Sequence, residues 1–405
     1  MRWHPTDGED GSPSESLRSG TEGASGRSHV ASHRRCSGIL TLADLSITPL
    51  DALHRELGAR MVDFAGWAMP VQYPTGIIKE HNQARERAAL FDVSHMGQVL
   101  IEGRSAAGAI ERLVPADILS LEPGRARYTQ LTNEAGGMLD DLIVTATETG
   151  LFVVVNAGGR EQDLAHLQAE LPEYNVRLLA DRALLALQGP AAADVLAGMV
   201  PEVAELAFMQ SRELKLSGLD VRVSRLGYTG EDGFEISIHA DHAQKLARTL
   251  LANEHVAPAG LGARDSLRLE AGLCLYGHDI DETTSPVEAS LAWTIGKRRR
   301  AEGGFPGDER ILRELRDGPD RRLVGLRPDG RAPAREGAAI QDEAGNPVGR
   351  VTSGGFGPTI QAPIAMGYVE NRLREPGTAL VIELRGKPVP AEVMKLPFVP
   401  HRYHR

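Results

Sequence analysis

The sequence is short of the residues that build metal centres and covalent frameworks. Its 405 residues include two cysteines, Cys36 and Cys274, too few for a disulfide framework or a cysteine-built metal site. His-Glu-x-x-His and clustered Cys/His spacings are also missing, so no metal is expected. No run of eighteen apolar residues occurs, which excludes a helical membrane span. Positive charge is in deficit: 45 Lys and Arg stand against 55 Asp and Glu, for a net charge of −10. A general nucleic-acid binder needs a clustered positive surface, so that class is excluded too. No Gly-x-Ser-x-Gly elbow supports a hydrolase, and Ser94 and His95, adjacent in sequence, would not face one another as nucleophile and base. Gly260-Leu261-Gly262 lacks the third glycine of a dinucleotide loop, Asp265 taking its place, and follows no strand of a βαβ unit.

What is present is a chain long enough for two or three domains, 41% apolar and a quarter charged, with many turn-forming residues in its 44 Gly and 24 Pro. Residues 1–40 are rich in Ser, Gly, His and Arg and nearly free of periodic apolar residues. They cannot repay the entropy of ordering and read as a disordered tail. Asp7, Glu9, Asp10, Glu15 and Glu22 match the arginines of this tail in number, unlike a mitochondrial transit peptide. Extra residues from an upstream start are favoured over an address, and removing residues 1–39 is expected to leave folding and activity intact. The location expected is cytoplasmic for a bacterial chain and the mitochondrial matrix for a eukaryotic one.

Leu50, Leu53 and Leu57 recur at helical spacing and Gly58 ends the run. A turn at residues 133–137 precedes an apolar strand over 138–147, and Glu148-Thr149-Gly150 turn the chain into a second over 151–155. This is a buried hairpin. A second hairpin spans 221–240, with Val221 and Val223 on one strand and Phe234, Ile236 and Ile238 on the other, joined by a loop over 227–233. Helices are expected over 242–253 and 264–275, so the class is α+β. The polar, Arg-rich stretch 313–322 reads as a linker, and short strands broken by Gly and Pro form a small C-terminal β domain. The organisation expected is a 41–300 region of two subdomains and a 318–403 barrel domain.

The unusual local feature is Asp140-Asp141 inside an apolar strand. Alternation puts Asp141 on the face of Leu139 and Ile143, and Asp140 with Met138, Leu142 and Val144. A carboxylate there must be hydrogen-bonded, paired or raised in pKa, as happens at functional sites; capping of neighbouring turns is the equally weighted alternative. Glu235, opposite the apolar set of its strand, reads as a solvated carboxylate. Arg264 reads as lying at a helix start that Asp265 or Ser266 could cap, with a guanidinium suited to a bidentate contact. Lys297-Arg298-Arg299-Arg300 is the one basic run.

At these residues the chain resembles the glycine-cleavage aminomethyltransferase family. The matching segments are Met61-Val62-Asp63-Phe64-Ala65-Gly66-Trp67, Phe91-Asp92-Val93-Ser94-His95-Met96, residues 136–144 around Asp140-Asp141, residues 227–235, residues 262–272 around Arg264, and Thr352-Ser353-Gly354. The resemblance implies three domains around a central opening that binds tetrahydrofolate, and a lipoylated carrier, the H protein, that delivers an aminomethyl group. It implies release of ammonia and formation of methylene-tetrahydrofolate, with Asp141 catalytic. It also implies that Glu235, Arg264 and Tyr403 contact folate and that Asn156 and Tyr128 line the pterin pocket. Because such carriers tend to be acidic, Lys297 to Arg300 is a candidate docking surface. Related folate-binding proteins of iron-sulfur assembly carry Lys-Gly-Cys where this chain has Ala271-Gly272-Leu273-Cys274. Demethylating oxidases of the same fold add a flavin domain for which this chain has no length, and a folate-binding regulator would not need Asp141.

Overall fold

A computed structural model describes residues 44–405. The expected tail over 1–40, with Cys36, lies outside the described residues.

Two antiparallel-rich sheets face one another. The first has five strands: Ala126–Thr132, Met138–Thr147, Gly150–Val155, Gly97–Glu102 and Asn175–Leu178. The second has six, in the spatial order Gln210–Leu216, Leu219–Arg225, Gly233–His239, Arg182–Gln188, Ala88–Asp92 and Val256–Pro258. Period-two alternation divides each strand between two apolar layers. In the five-stranded sheet, Leu142, Val144, Val153 and Val155 pack under the Ala106–Ile110 and Arg160–Glu170 helices. Phe152 and Val154 face the other way, onto Phe91, Leu184 and Ala186 of the second sheet and Ala263 and Leu267 of the Leu261–Glu270 helix. The far face of the second sheet, with Leu185, Phe234, Ile236 and Ile238, is covered by the Asp51–Glu56, Ala192–Ala197 and Ala240–Leu251 helices. Both expected hairpins form in register: Leu142 pairs with Val155, and Val221 with Ile238.

The C-terminal strands, from Arg321 to Met394, close into a six-stranded barrel. It docks through an apolar layer joining Met138 and Leu269 of the body to Leu323, Ile364 and Met366 of the barrel, directly behind the aspartate strand. Polar ties run alongside. Arg268 donates from Nη1 to Asp279 Oδ2 at 2.8 Å and from Nη2 to Ser353 Oγ at 2.9 Å. The chain then returns to the body: Val399 N donates to Glu270 O, Arg402 N to Gly230 O, and Phe208 N to His404 O.

Three expectations need correction. Residues 313–322 are not a linker, because Ile311 and Leu315 pack with Val287, Ile295 and Phe305 as one face of an Asp308–Asp317 helix. Arg264 does not start its helix, which begins at Leu261 after an extended Gly260 whose N–H donates to Glu80 Oε2 at 2.9 Å. Glu235 is not solvated. It is 7% exposed, because the face opposite Phe234 and Ile236 is the one covered by the first sheet and the Leu261–Glu270 helix.

Candidate active site

The aspartate strand enters the sheet through a register shift between Leu131 and Thr132, and past it Gln130 pairs with Asp141 and Tyr128 with Ile143. On the other side Val155 is the last paired residue of its strand, so Asn156 leaves the ladder beside Asp141. Gln130, Tyr128 and Asn156 therefore flank the Asp141 carboxyl. Asn156 Nδ2 donates to Asp141 Oδ1 at 2.7 Å and to Asp140 Oδ1 at 2.7 Å, and the Tyr128 hydroxyl lies near enough to Asp141 for each to act on the other's ionisation. Strand alternation alone places the two aspartates apart. The Asn156 amide is a donor shared by both carboxyls, and Asp140 is the more deeply buried of the two.

Electrostatics follow from this crowding. Burial, then the neighbouring Asp140 charge, pushes the Asp141 carboxyl up to about 7, while Tyr128 and Asn156 oppose the shift. Burial also raises the Tyr128 hydroxyl, and the Asp141 charge adds to it. Trp293 stacks on Tyr128 with ring centroids 5.8 Å apart and is 65% exposed, so the aromatic pair reaches from the carboxyl to the surface.

A second group lies on the other sheet. Glu235 is buried and Arg264 half-buried, and they act on one another: burial raises the glutamate and Arg264 opposes the rise; burial lowers the arginine and Glu235 opposes that. The guanidinium carbon sits 4.8 Å above the Tyr228 ring. Arg264 Nη1 is buried and has no protein partner. His95, also buried, is driven down to about 4 by burial and further by the Arg264 charge, with Asp92 opposing, and stays neutral beside that arginine at neutral pH. Tyr228 connects the groups, since its hydroxyl donates to Cys274 O and its ionisation is raised by burial and by the charge of Asp141.

Tyr403 occupies a third place. Its ring stacks on Phe208 at 4.0 Å, and the charges bearing on its hydroxyl are those of Arg85, Glu231 and Arg405. Sequence reasoning passed over Tyr228, Gln130 and Asp163. Tyr228 stood within the quoted 227–235 motif, whereas nothing local marks Gln130 or Asp163. Among the described residues no three His, Cys, Asp or Glu side chains are arranged to hold a metal ion, and no helix is long and apolar enough to cross a membrane.

The arginines of the basic run are engaged within the chain, although only Arg299 is buried. Arg298 pairs with Glu111, Asp117 and Glu302, and Arg299 is buried, donating to Glu111 O at 2.7 Å. Arg300 donates to Ile295 O at 3.0 Å and Ala292 O at 2.5 Å. These arginines hold the Lys297–Glu302 helix to the body and do not form a free basic patch.

The body and the barrel each match a family model: residues 50–299 that of the GCVT N-terminal domain, and residues 321–400 that of the glycine cleavage T-protein C-terminal barrel domain. The chain is 48% identical over 398 residues to the mitochondrial aminomethyltransferase of Gallus gallus, spanning 96% of this chain and 99% of that protein. It is 45% identical over 381 residues to the mitochondrial aminomethyltransferase of Dictyostelium discoideum, spanning 89% and 94%. The crystal structure of glycine cleavage system aminomethyltransferase T from Bartonella henselae superposes with a TM-score of 0.85 at 46% identity, covering 89% of this chain and 100% of that one. The chain belongs to the glycine cleavage T-protein family of aminomethyltransferases.

Proposed function

We propose that the chain moves a one-carbon unit from the aminomethyl-dihydrolipoyl arm of the H protein to tetrahydrofolate, with release of ammonia and formation of methylene-tetrahydrofolate. Tetrahydrofolate, when bound, supplies the nucleophilic nitrogen that receives the carbon. The side chains fit such a molecule. The partnerless Arg264 Nη1 calls for an acceptor, which the benzoyl-glutamate end or a neighbouring polar group provides, and the buried Glu235 carboxyl calls for donors, which the pterin edge provides. Asn156 and Tyr128 would line the pterin side, and Tyr403, on the returning tail, an outlying contact.

The observation that carries this reading is Asp141, a half-buried carboxyl between an amide and a phenol and poised near neutrality. A group so poised exchanges a proton with a reacting nitrogen at little cost, and its fixed orientation turns two bound partners into one oriented encounter. Asp141 would hold that proton, while Asn156 and Tyr128 fix the carboxyl's direction. The compartment that best suits the acidic residues within 1–40 is a bacterial cytoplasm, with the mitochondrial matrix the eukaryotic counterpart. The test is ammonia release from aminomethylated lipoyl carrier, measured with and without tetrahydrofolate. Folate-dependent release is expected; folate binding without release would assign the chain to the non-catalytic folate binders.

A further inference from the structure

Behind Asp141 lies a third carboxyl that the mechanism above does not use. Asp163 sits in the first turn of the Arg160–Glu170 helix, 2% exposed, and its carboxyl lies beside that of Asp140, whose charge acts on it. A Cβ placed on Gly159 would lie 2.5 Å from Asp140 Oδ2 and 3.1 Å from Asp163 Oδ2, so both oxygens close on one point beside that glycine. Both are buried, and no protein donor reaches either. Among the described residues none of the three carboxylates has an ion-paired Lys, Arg or His. A contact between two carboxyl groups holds only if one of them carries the proton.

The donors decide which. Asp140 Oδ1 accepts from Asn156 Nδ2 at 2.7 Å and from the Asp141 N–H at 2.8 Å, and both favour its charged form. Asp163 accepts no such bond. We propose that Asp163 is a positioning residue for Asp141: it keeps a proton on its carboxyl and donates it to Asp140, so the cluster leaves its reactive charge on Asp141. The inference rests on the reading of Asp141 given above. Burial, followed by the Asp140 and Asp141 charges, pushes the Asp163 carboxyl up to about 9. The partial positive charge at the helix N-terminus favours its ionised form, but burial among like charges outweighs it.

The groups facing this pair come from every element around it. They are Asp141 and Tyr128 on the sheet, and Tyr276, whose hydroxyl donates to Met138 O at 3.2 Å and feels Asp140, Asp163, Glu282 and Asp281. On the helix itself Arg160 is turned to Trp67 and Glu161, and His166 Nε2 is buried without a partner. None of them supplies the donor that Asp140 Oδ2 requires.

The test uses the full chain. In the infrared, a protonated-carboxyl stretch should remain at about pH 8, above the Asp141 value of about 7 and below the Asp163 value of about 9, and be lost in Asp163→Asn. In single turnover, Asp163→Ala, which leaves Asp140 Oδ2 buried without a donor, should lower the rate at least about tenfold with little change in the folate KM. Asp163→Asn, which keeps a donor but cannot titrate, should recover most of that loss and lack the alkaline fall in rate that the unaltered chain shows. Absence of the band at about pH 8, an unchanged alkaline limb in Asp163→Asn, or equal loss in both variants would overturn the proposal. Should Asp163→Ala fail to fold, the band and the Asn profile still decide. Normal turnover by Asp141→Asn would instead overturn the functional reading, and it leaves the Asp163 band untouched, so the two failures are distinguishable.

Discussion

At the scale of single residues, the carboxyls of Asp140, Asp141 and Asp163 gather around one strand with no ion-paired cation among the described residues. Asp141 and Asp163 hold their protons more tightly folded than unfolded, with carboxyls raised from 3.8 to about 7 and about 9. Unfolding therefore releases protons between the ordinary and the raised values. Stability contributed by the protonated acids is full below the ordinary value and is lost as pH rises through the raised ones. Thermal unfolding of Asp163→Asn should consequently gain on the unaltered chain between about pH 4 and pH 9; a constant difference in melting temperature would contradict the placement of that proton. In the role proposed for it, the carboxyl at position 141 sets the acid limb of catalysis. Its base form is depleted below about 7, so the transfer rate should fall as pH drops through that value, and the limb should disappear in Asp141→Asn.

At the scale of elements, helix starts and loops do the positioning. The Arg160–Glu170 helix starts from Gly159, which leaves no room for a side chain against Asp140. Gly159→Ala should cost roughly 1–3 kcal/mol in chemical denaturation, an overpacking penalty, and slow transfer although no titratable group is changed. Unaltered turnover would show that the carboxyl pair tolerates displacement. The Lys297–Glu302 helix behaves differently from its sequence appearance. Arg299 bonds to Glu111 O at 2.7 Å and Gly304 O at 3.2 Å and lies over Phe305. Arg299→Ala should destabilise by roughly 2–4 kcal/mol, whereas Lys297→Gln, at an exposed position, should stay within about 0.5 kcal/mol. Comparable small effects from both would return the run to the role of a docking surface.

At the scale of the whole molecule, sequence and structure agree where a pattern is local and diverge where burial is set by a distant element. The two hairpins were legible because runs of Val, Ile and Leu sit between turn residues. The helix over 308–317 was not, since its apolar face is only Ile311 and Leu315 among charged residues. The burial of Glu235 was hidden for a different reason: the sheet that covers it comes from a segment about a hundred residues earlier. The family motifs likewise divide once folded. Asp141 and Arg264 form the candidate site, while Arg268, Thr352 and Ser353 tie barrel to body through Asp279. The returning tail is fastened by Glu231, which is buried and receives Arg85 Nη1 at 2.6 Å and the Arg402 guanidinium. Glu231→Gln leaves two guanidiniums facing a neutral amide and should cost roughly 3–5 kcal/mol in thermal or chemical unfolding; a loss below 1 kcal/mol would mean that stacking of Tyr403 on Phe208 holds the tail by itself. In the function proposed, one carboxyl, that of Asp141, meets the bound one-carbon acceptor. The most direct measurement is therefore single-turnover formation of methylene-tetrahydrofolate from aminomethylated carrier at saturating folate, with folate binding followed by calorimetry. Asp141→Asn should keep most of the folate affinity and lose roughly 10²–10⁴ in rate, and a near-normal rate in that variant would contradict the assignment.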